Sequence, residues 1–180
     1  MTASRARWLF AGLALFLVCG CGPSPVATSA GDRRAAPDFE LVRLDGIPVS
    51  LAEQRGRTLI LDFWATWCAP CEVQMPVLDA IWKSRGGDRL MVLGLSMDTD
   101  PPAKVSQWLR ERSVEYPIAM ADQQLAIDYG AWAFPTLVIV DPAGEIYYLD
   151  PGVTSRPEIE ALLDAIEQEF APSSGAPVPA

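Results

Sequence analysis

The run Leu59-Ile60-Leu61-Asp62-Phe63-Trp64 leads straight into Ala65-Thr66-Trp67-Cys68-Ala69-Pro70-Cys71, and this stretch constrains the rest of the chain. Its first half is mostly apolar and rich in strand formers, as a strand buried on both faces must be. A turn follows, then two cysteines separated by two residues, then a helical pattern. A Cys-x-x-Cys placed where a strand runs into a helix puts the first thiol at the helix N-terminus. Unpaired N–H groups and the positive end of the helix dipole favour a thiolate there. The thiolate is the form that attacks disulfides, and such sites hold the thiol below its free pKa of about 8.5. Two intervening residues also let the second sulfur close on the first. The pattern points to redox chemistry at sulfur.

Composition removes most competing chemistries. The chain has 180 residues, enough for one domain with appendages, and half of them are hydrophobic. Its formal net charge is −9, with no basic cluster outside the N-terminus, so nucleic acid is not an expected partner. There is no histidine. That excludes His-containing zinc sites, Ser-His-Asp and Cys-His catalysis, and haem attachment through Cys-x-x-Cys-His, since Glu72 follows Cys71. Cys19 and Cys21 lie apart from Cys68 and Cys71 at the end of an N-terminal apolar segment, so no four-thiolate metal site is expected.

Residues 1–20 read as a secretory signal, with Arg5 and Arg7 ahead of an apolar segment over 8–18. That segment is short of the ~20 residues a spanning helix needs. It ends in Val18-Cys19-Gly20-Cys21, which resembles a bacterial lipobox with Cys21 as the lipidated residue. Cleavage nearby and an uncleaved short anchor are the alternatives. Residues 21–37, rich in Pro and small side chains, read as a flexible tether, and 171–180 as a disordered tail.

The domain is expected over 38–170. Strands at 39–44 and 47–49 flank the turn pair Asp45-Gly46, and Ser50-Leu51-Ala52-Glu53 has capping-box form. A core strand at 58–64 precedes a helix over 69–83, kinked at Pro76. Further core strands are expected at 90–95 and 136–140, and a shorter one at 114–120. Asp100 and Asp122 read as caps of intervening helices. Residues 145–149 form a late strand, and Ser155-x-x-Glu158 caps a final amphipathic helix to Phe170. This order predicts a three-layer α/β/α domain with an N-terminal β-hairpin extension.

The domain resembles the thioredoxin fold, and within it the exported TlpA/ResA-like thiol–disulfide reductases. The resemblance spans most of 36–170. It rests on Ala36-Pro37-Asp38-Phe39-Glu40-Leu41, on Phe63-Trp64-Ala65-Thr66-Trp67-Cys68-Ala69-Pro70-Cys71, on Pro76, and on Phe134-Pro135-Thr136 before a strand. It implies a thioredoxin-like domain with a central mixed sheet. It implies that Cys68 is the attacking thiol and Cys71 the resolving one, with Ala69 and Pro70 setting the turn and the redox poise. Trp67 would border the site, with core packing as the alternative. Pro135 would be the cis-proline facing the disulfide, and Phe134 before it would influence substrate choice.

Asp62 is the informative polar residue, because a carboxylate inside an apolar strand is costly unless it titrates or is paired. Thioredoxin has a buried acid at the matching place, which assists proton transfer at the second cysteine. The alternative is a solvated residue at a strand end. An acid that some relatives carry three residues after the second cysteine is replaced here by Gln74.

The implied activity is reduction of protein disulfides outside the cytoplasm, with cytochrome c maturation as one use. No cofactor beyond the Cys68–Cys71 pair, no metal and a monomeric state are expected. The implied partners are protein thiols or disulfides, a membrane electron donor of the DsbD/CcdA kind, and the membrane itself through the lipid on Cys21. Two other readings stay open. A thiol peroxidase would need Pro-x-x-x-Thr-x-x-Cys, where this chain has Leu61 and Ala65 ahead of Cys68. A binding module would keep the fold without turnover.

Overall fold

A computed structural model of the chain describes residues 33–171. The signal segment, Cys19, Cys21, most of the tether and the tail lie outside the described residues. A five-stranded sheet of order β5-β4-β3-β6-β7 forms the middle layer. Its centre is β3 (Thr58–Trp64), every residue of which is buried. β4 (Leu90–Ser96) pairs with it in parallel and β6 (Thr136–Val140) antiparallel. β5 (Ile118–Met120) extends the β4 side in parallel, and β7 (Ile146–Pro151) the β6 side antiparallel. β1 (Glu40–Val42) and β2 (Pro48–Ser50) form a separate antiparallel hairpin.

Alternation along β3 assigns the two apolar layers. Ile60 and Trp64 face one layer, filled by α1 (Cys71–Arg85), α2 (Pro102–Glu111) and α4 (Arg156–Glu169). Leu59, Leu61 and Phe63 face the other, covered by the hairpin and α3 (Gln123–Tyr129). Each fully buried side chain of this size stabilises the fold by about 1.5–3 kcal/mol. The expected three-layer domain with its N-terminal hairpin is therefore present.

Several local signals act as read. The Asp122 carboxylate accepts from the Leu125 N–H at 2.8 Å and caps α3. Ser50 and Glu53 exchange side-chain and backbone bonds at 3.1 and 3.4 Å, and lead into a short 3₁₀ turn at Ala52–Gln54. Gly46, at φ +85°, turns the hairpin in the left-handed region that glycine tolerates.

Other expectations need correction. Ser155 makes no side-chain cap on α4, and the Glu158 carboxylate, in place of reaching back to Ser155, accepts from the Tyr148 hydroxyl at 3.1 Å. Asp100 does not cap α2; it pairs with Lys104 at 3.0 Å and Pro101 stands at the cap. The strand expected over 114–120 shrinks to Ile118–Met120. Pro117 ahead of it has no N–H to donate, and its carbonyl accepts from Gly94 at 2.8 Å. The helix after the cysteines runs from Cys71 to Arg85, with Pro76 inside it, and not over 69–83. Residues 33–37, assigned to the tether by composition, make backbone contacts with the start of β7: the Ala36 N–H donates to Gly144 at 3.0 Å and Ile146 to Arg34 at 2.9 Å.

Gly94 lies on β4 opposite Asp62. A Cβ there would meet Ile118 Cδ1 at 2.3 Å, the Tyr116 ring at 3.0 Å and Trp64 Nε1 at 3.1 Å. The two rings cannot yield as the isoleucine tip can. Gly94→Ala is expected to destabilise the domain by about 1–3 kcal/mol, seen as a lower guanidinium midpoint at unchanged slope.

Candidate active site

The two parallel strands β3 and β4 end together, with Trp64 paired to Ser96. Asp98, just past β4, locks the turn that leaves β3. Its carboxylate accepts from the Thr66 N–H at 3.0 Å, the Thr66 hydroxyl at 2.6 Å and the Ser96 hydroxyl at 2.8 Å. This carboxylate was not recognised in the sequence, where Asp98 looks like one acid among several in a polar loop. It fixes the backbone that launches Trp67 and Cys68.

Cys68 and Cys71 form a disulfide, with Cα atoms 5.3 Å apart. Cys71 is wholly buried and Cys68 is 5% exposed. α1 begins at Cys71 rather than at Ala69, because the first turn closes through i to i+3 bonds: Cys71 to Cys68, Glu72 to Ala69 and Val73 to Pro70, at 3.1 to 3.2 Å. Cys68 thus precedes the helix, and the Cys71 N–H points at its sulfur at 3.3 Å. When the disulfide is opened, that donor and the helix dipole favour the thiolate at Cys68.

An aromatic pair stands beside the cysteine turn, and one of its members leads into a cis bond. The Phe134–Pro135 bond is cis, and Pro135 is buried. Trp67 is 69% exposed and lies 5.9 Å from the Phe134 ring, so it borders the site on the surface and does not pack the core. Ala69 and Pro70 are exposed beside it. A groove of about 580 Å³ opens next to Phe134, lined by Met97, Ala121, Ile127 and Trp132 among others.

Gln74, read only as a missing acid, has a structural place of its own. It is wholly buried, and its carbonyl accepts from the Thr154 N–H at 2.7 Å. Two residues earlier the Gly152 N–H donates to the Pro135 carbonyl at 2.7 Å. The segment after β7 is thereby tied to the cysteine helix and to the cis-proline at once. Nothing local in the sequence signals this, since both partners are backbone groups far along the chain.

Asp62 is fully buried, which removes the solvated alternative. The Tyr116 hydroxyl donates to its Oδ2 at 3.0 Å, and Oδ1 has no partner among the described residues. Burial pushes its pKa up from the ordinary 3.8 to about 7, against the opposing pull of the Tyr116 hydrogen bond. By alternation its side chain enters the layer of Ile60 and Trp64, which is the layer that Cys71 packs into. Tyr116 went unrecognised as part of the site. Its one trace in the sequence is Gly94, a glycine inside an apolar strand, which signals a close approach.

The fold and the site define a thioredoxin-like domain with a cysteine pair at the end of its central strand. Residues 33–149 match the AhpC/TSA family. The chain is 31% identical over 131 residues to the thioredoxin-like protein YneN of Bacillus subtilis, covering 72% of this chain and 76% of that one. It is 29% identical over 133 residues to the thiol–disulfide oxidoreductase ResA of Geobacillus kaustophilus, covering 73% and 76%. Among solved structures, the exposed lipoprotein thioredoxin of Streptococcus pneumoniae superposes with a TM-score of 0.62 at 28% identity, covering 72% of this chain and 99% of that one. A thioredoxin-family thiol:disulfide interchange protein from Chlorobium tepidum shares the fold, with a TM-score of 0.66 at 24% identity and coverage of 74% and 96%. The chain belongs to the AhpC/TSA family and, with its Cys68–Cys71 pair, is a thiol–disulfide oxidoreductase. The peroxidase pattern is missing, as Leu61 in β3 is fully buried and apolar where that pattern has proline.

The raised pKa of Asp62 has a stability consequence. The folded protein holds that proton up to about pH 7, whereas the unfolded chain releases it near 3.8. Between those values the unfolded state binds fewer protons, so this group lowers stability as pH rises. Asp62→Asn lacks the loss. Its unfolding free energy relative to wild type is expected to increase from about pH 4 to about pH 7 and to level off above, in guanidinium titrations across that range.

Proposed function

We propose that the protein is an exported reductant of protein disulfides, in which Cys68 attacks and Cys71 resolves. The observation that carries this is the Cys68–Cys71 pair just past the end of β3, with Cys71 wholly buried and Cys68 5% exposed beside the exposed Trp67. In the reduced enzyme the Cys68 thiolate attacks a substrate disulfide, forming a mixed disulfide and releasing one substrate sulfur as thiolate. Cys71 then attacks Cys68, closes the Cys68–Cys71 bond and expels the second substrate sulfur. Asp62 takes the Cys71 proton in that second step. Trp67, Ala69, Pro70 and Phe134 form the surface on which the substrate rests, with Pro135 buried beneath, and the groove beside Phe134, lined by Asp98 and Asp122 as well as apolar side chains, extends it.

Export is supported by residues 1–20 and by the relatives, one of which is an exposed lipoprotein. Cys21 is the proposed lipid attachment, holding a monomer at the membrane through the tether. Outside the cytoplasm a reductant must be recharged, so a membrane dithiol donor of the DsbD/CcdA kind is the proposed electron source. The disulfide form of an apocytochrome c Cys-x-x-Cys-His site is one fitting substrate, since its reduction frees the two thiols that haem attachment needs. No metal or other cofactor is required by these steps.

Two measurements test this reading. Cys71→Ser is expected to accumulate a mixed disulfide with a model substrate, and Cys68→Ser to lose disulfide reduction altogether. An adduct trapped by Cys68→Ser but not by Cys71→Ser would reverse the two roles. Intact mass of protein extracted from membranes is expected to show a diacylglyceryl group on Cys21; a water-soluble mature chain beginning elsewhere would remove the anchor.

A further inference from the structure

Tyr116 comes from the segment between α2 and β5, and it is 54 residues from the acid it binds. That segment is clamped to the cysteine helix. Asp79 on α1 accepts the Glu115 N–H at 2.8 Å, and Lys83 one turn on bridges Asp79 and Glu115 at 2.7 and 2.9 Å. On the other side Gly94 leaves the space that the ring occupies, since a Cβ there would stand 3.0 Å from it. Tyr116 is 2% exposed, so its hydroxyl has little access to water and spends its proton on Asp62 Oδ2. Asp62 Oδ1 stays unpartnered in the same buried layer as Cys71.

We propose that Tyr116 is a positioning residue of the redox reaction: its hydroxyl occupies Asp62 Oδ2, fixes the carboxylate, and leaves Oδ1 as the atom that accepts the Cys71 proton. The proposal rests on the reading of Asp62 as the base for Cys71. In the resolving step Cys71 gives its proton to Oδ1 while its sulfur pair attacks Cys68. The Cys68–Cys71 bond forms, the bond from Cys68 to the substrate sulfur breaks, and that sulfur leaves as thiolate and takes a proton from solvent. Asp62 later returns its proton to solvent.

The chemistry favours a single donor here. A carboxylate with both oxygens bonded would be a poor base, and one with neither would stay protonated in a site this dry. One phenol lowers the proton affinity part of the way back, towards the working pH where a general base is most effective. Few other groups compete. The register partners of Asp62 are Gly94 on β4 and Leu137 on β6, neither of them ionisable. α1 brings Cys71, and Asp79, which Tyr116 also senses. α2 and α4 bury only apolar side chains. Among the described residues this layer also holds the ionisable groups of Cys68, Tyr147 and Tyr148.

The test uses Tyr116→Phe, which removes one oxygen. The carboxyl carbon of Asp62, followed by carbon-13 NMR in the oxidised protein, is expected to titrate about one pH unit higher than in wild type. The acid limb of the resolving step, followed by stopped flow with oxidised glutathione, is expected to move by the same amount while the initial attack by Cys68 keeps its profile. As a second variant, 3,5-difluorotyrosine at position 116 keeps the ring and is a stronger donor, so both curves are expected to move the opposite way. Curves that superimpose on wild type for both variants overturn the proposal. Asp62→Asn separates the two levels. If it alters the resolving step and the Tyr116 variants do not, Tyr116 alone is misassigned; if it leaves that step unchanged, the role of Asp62 falls and this proposal with it.

Discussion

The complete burial of β3 is the constraint on which the rest of the structure depends. A strand with both faces covered needs apolar layers above and below and ladder partners on each side, and it has all four. Its direction then dictates where the chain leaves the sheet. The next residues emerge where β4 also ends, at a point where the sheet changes from parallel to antiparallel pairing. Sheets of this class place their functional groups outside the carboxyl ends of parallel strands such as β3 and β4. The cysteines stand there because β3 points there.

Burial of β3 also makes Asp62 consequential. In a solvated strand this carboxylate would be an ordinary acid. Here it is enclosed, bonded once and left with one open oxygen, so its affinity for a proton is raised to about pH 7. The same dry layer holds Cys71.

The frame around the disulfide is made of hydrogen bonds between distant segments. Asp98 holds the turn before Cys68, and Gln74 and Gly152 join the cysteine helix, the segment after β7 and the cis-Pro135 bond. Each lies at or under the site and fixes backbone, not substrate. Trp67, Ala69 and Pro70 are exposed above these tied segments.

Much of this was legible in the residues themselves. The strand at 58–64, the core strand at 136–140, the Asp122 cap and the Cys-x-x-Cys at a strand end all follow from hydrophobic pattern, turn chemistry and spacing, which act over a few residues. Glu158 and Asp100 misled because side chains outside the expected cap, Tyr148 and Lys104, offered those acids other partners. What only the tertiary structure decided is which polar groups meet across the chain. Tyr116 finds Asp62 from 54 residues away, and Thr154 finds Gln74 from 80. Burial is non-directional and shows in composition, whereas a hydrogen bond needs two groups within about 3 Å at a fixed angle. The sequence could therefore show that Asp62 would be costly, and only the packed layers could show what would face it.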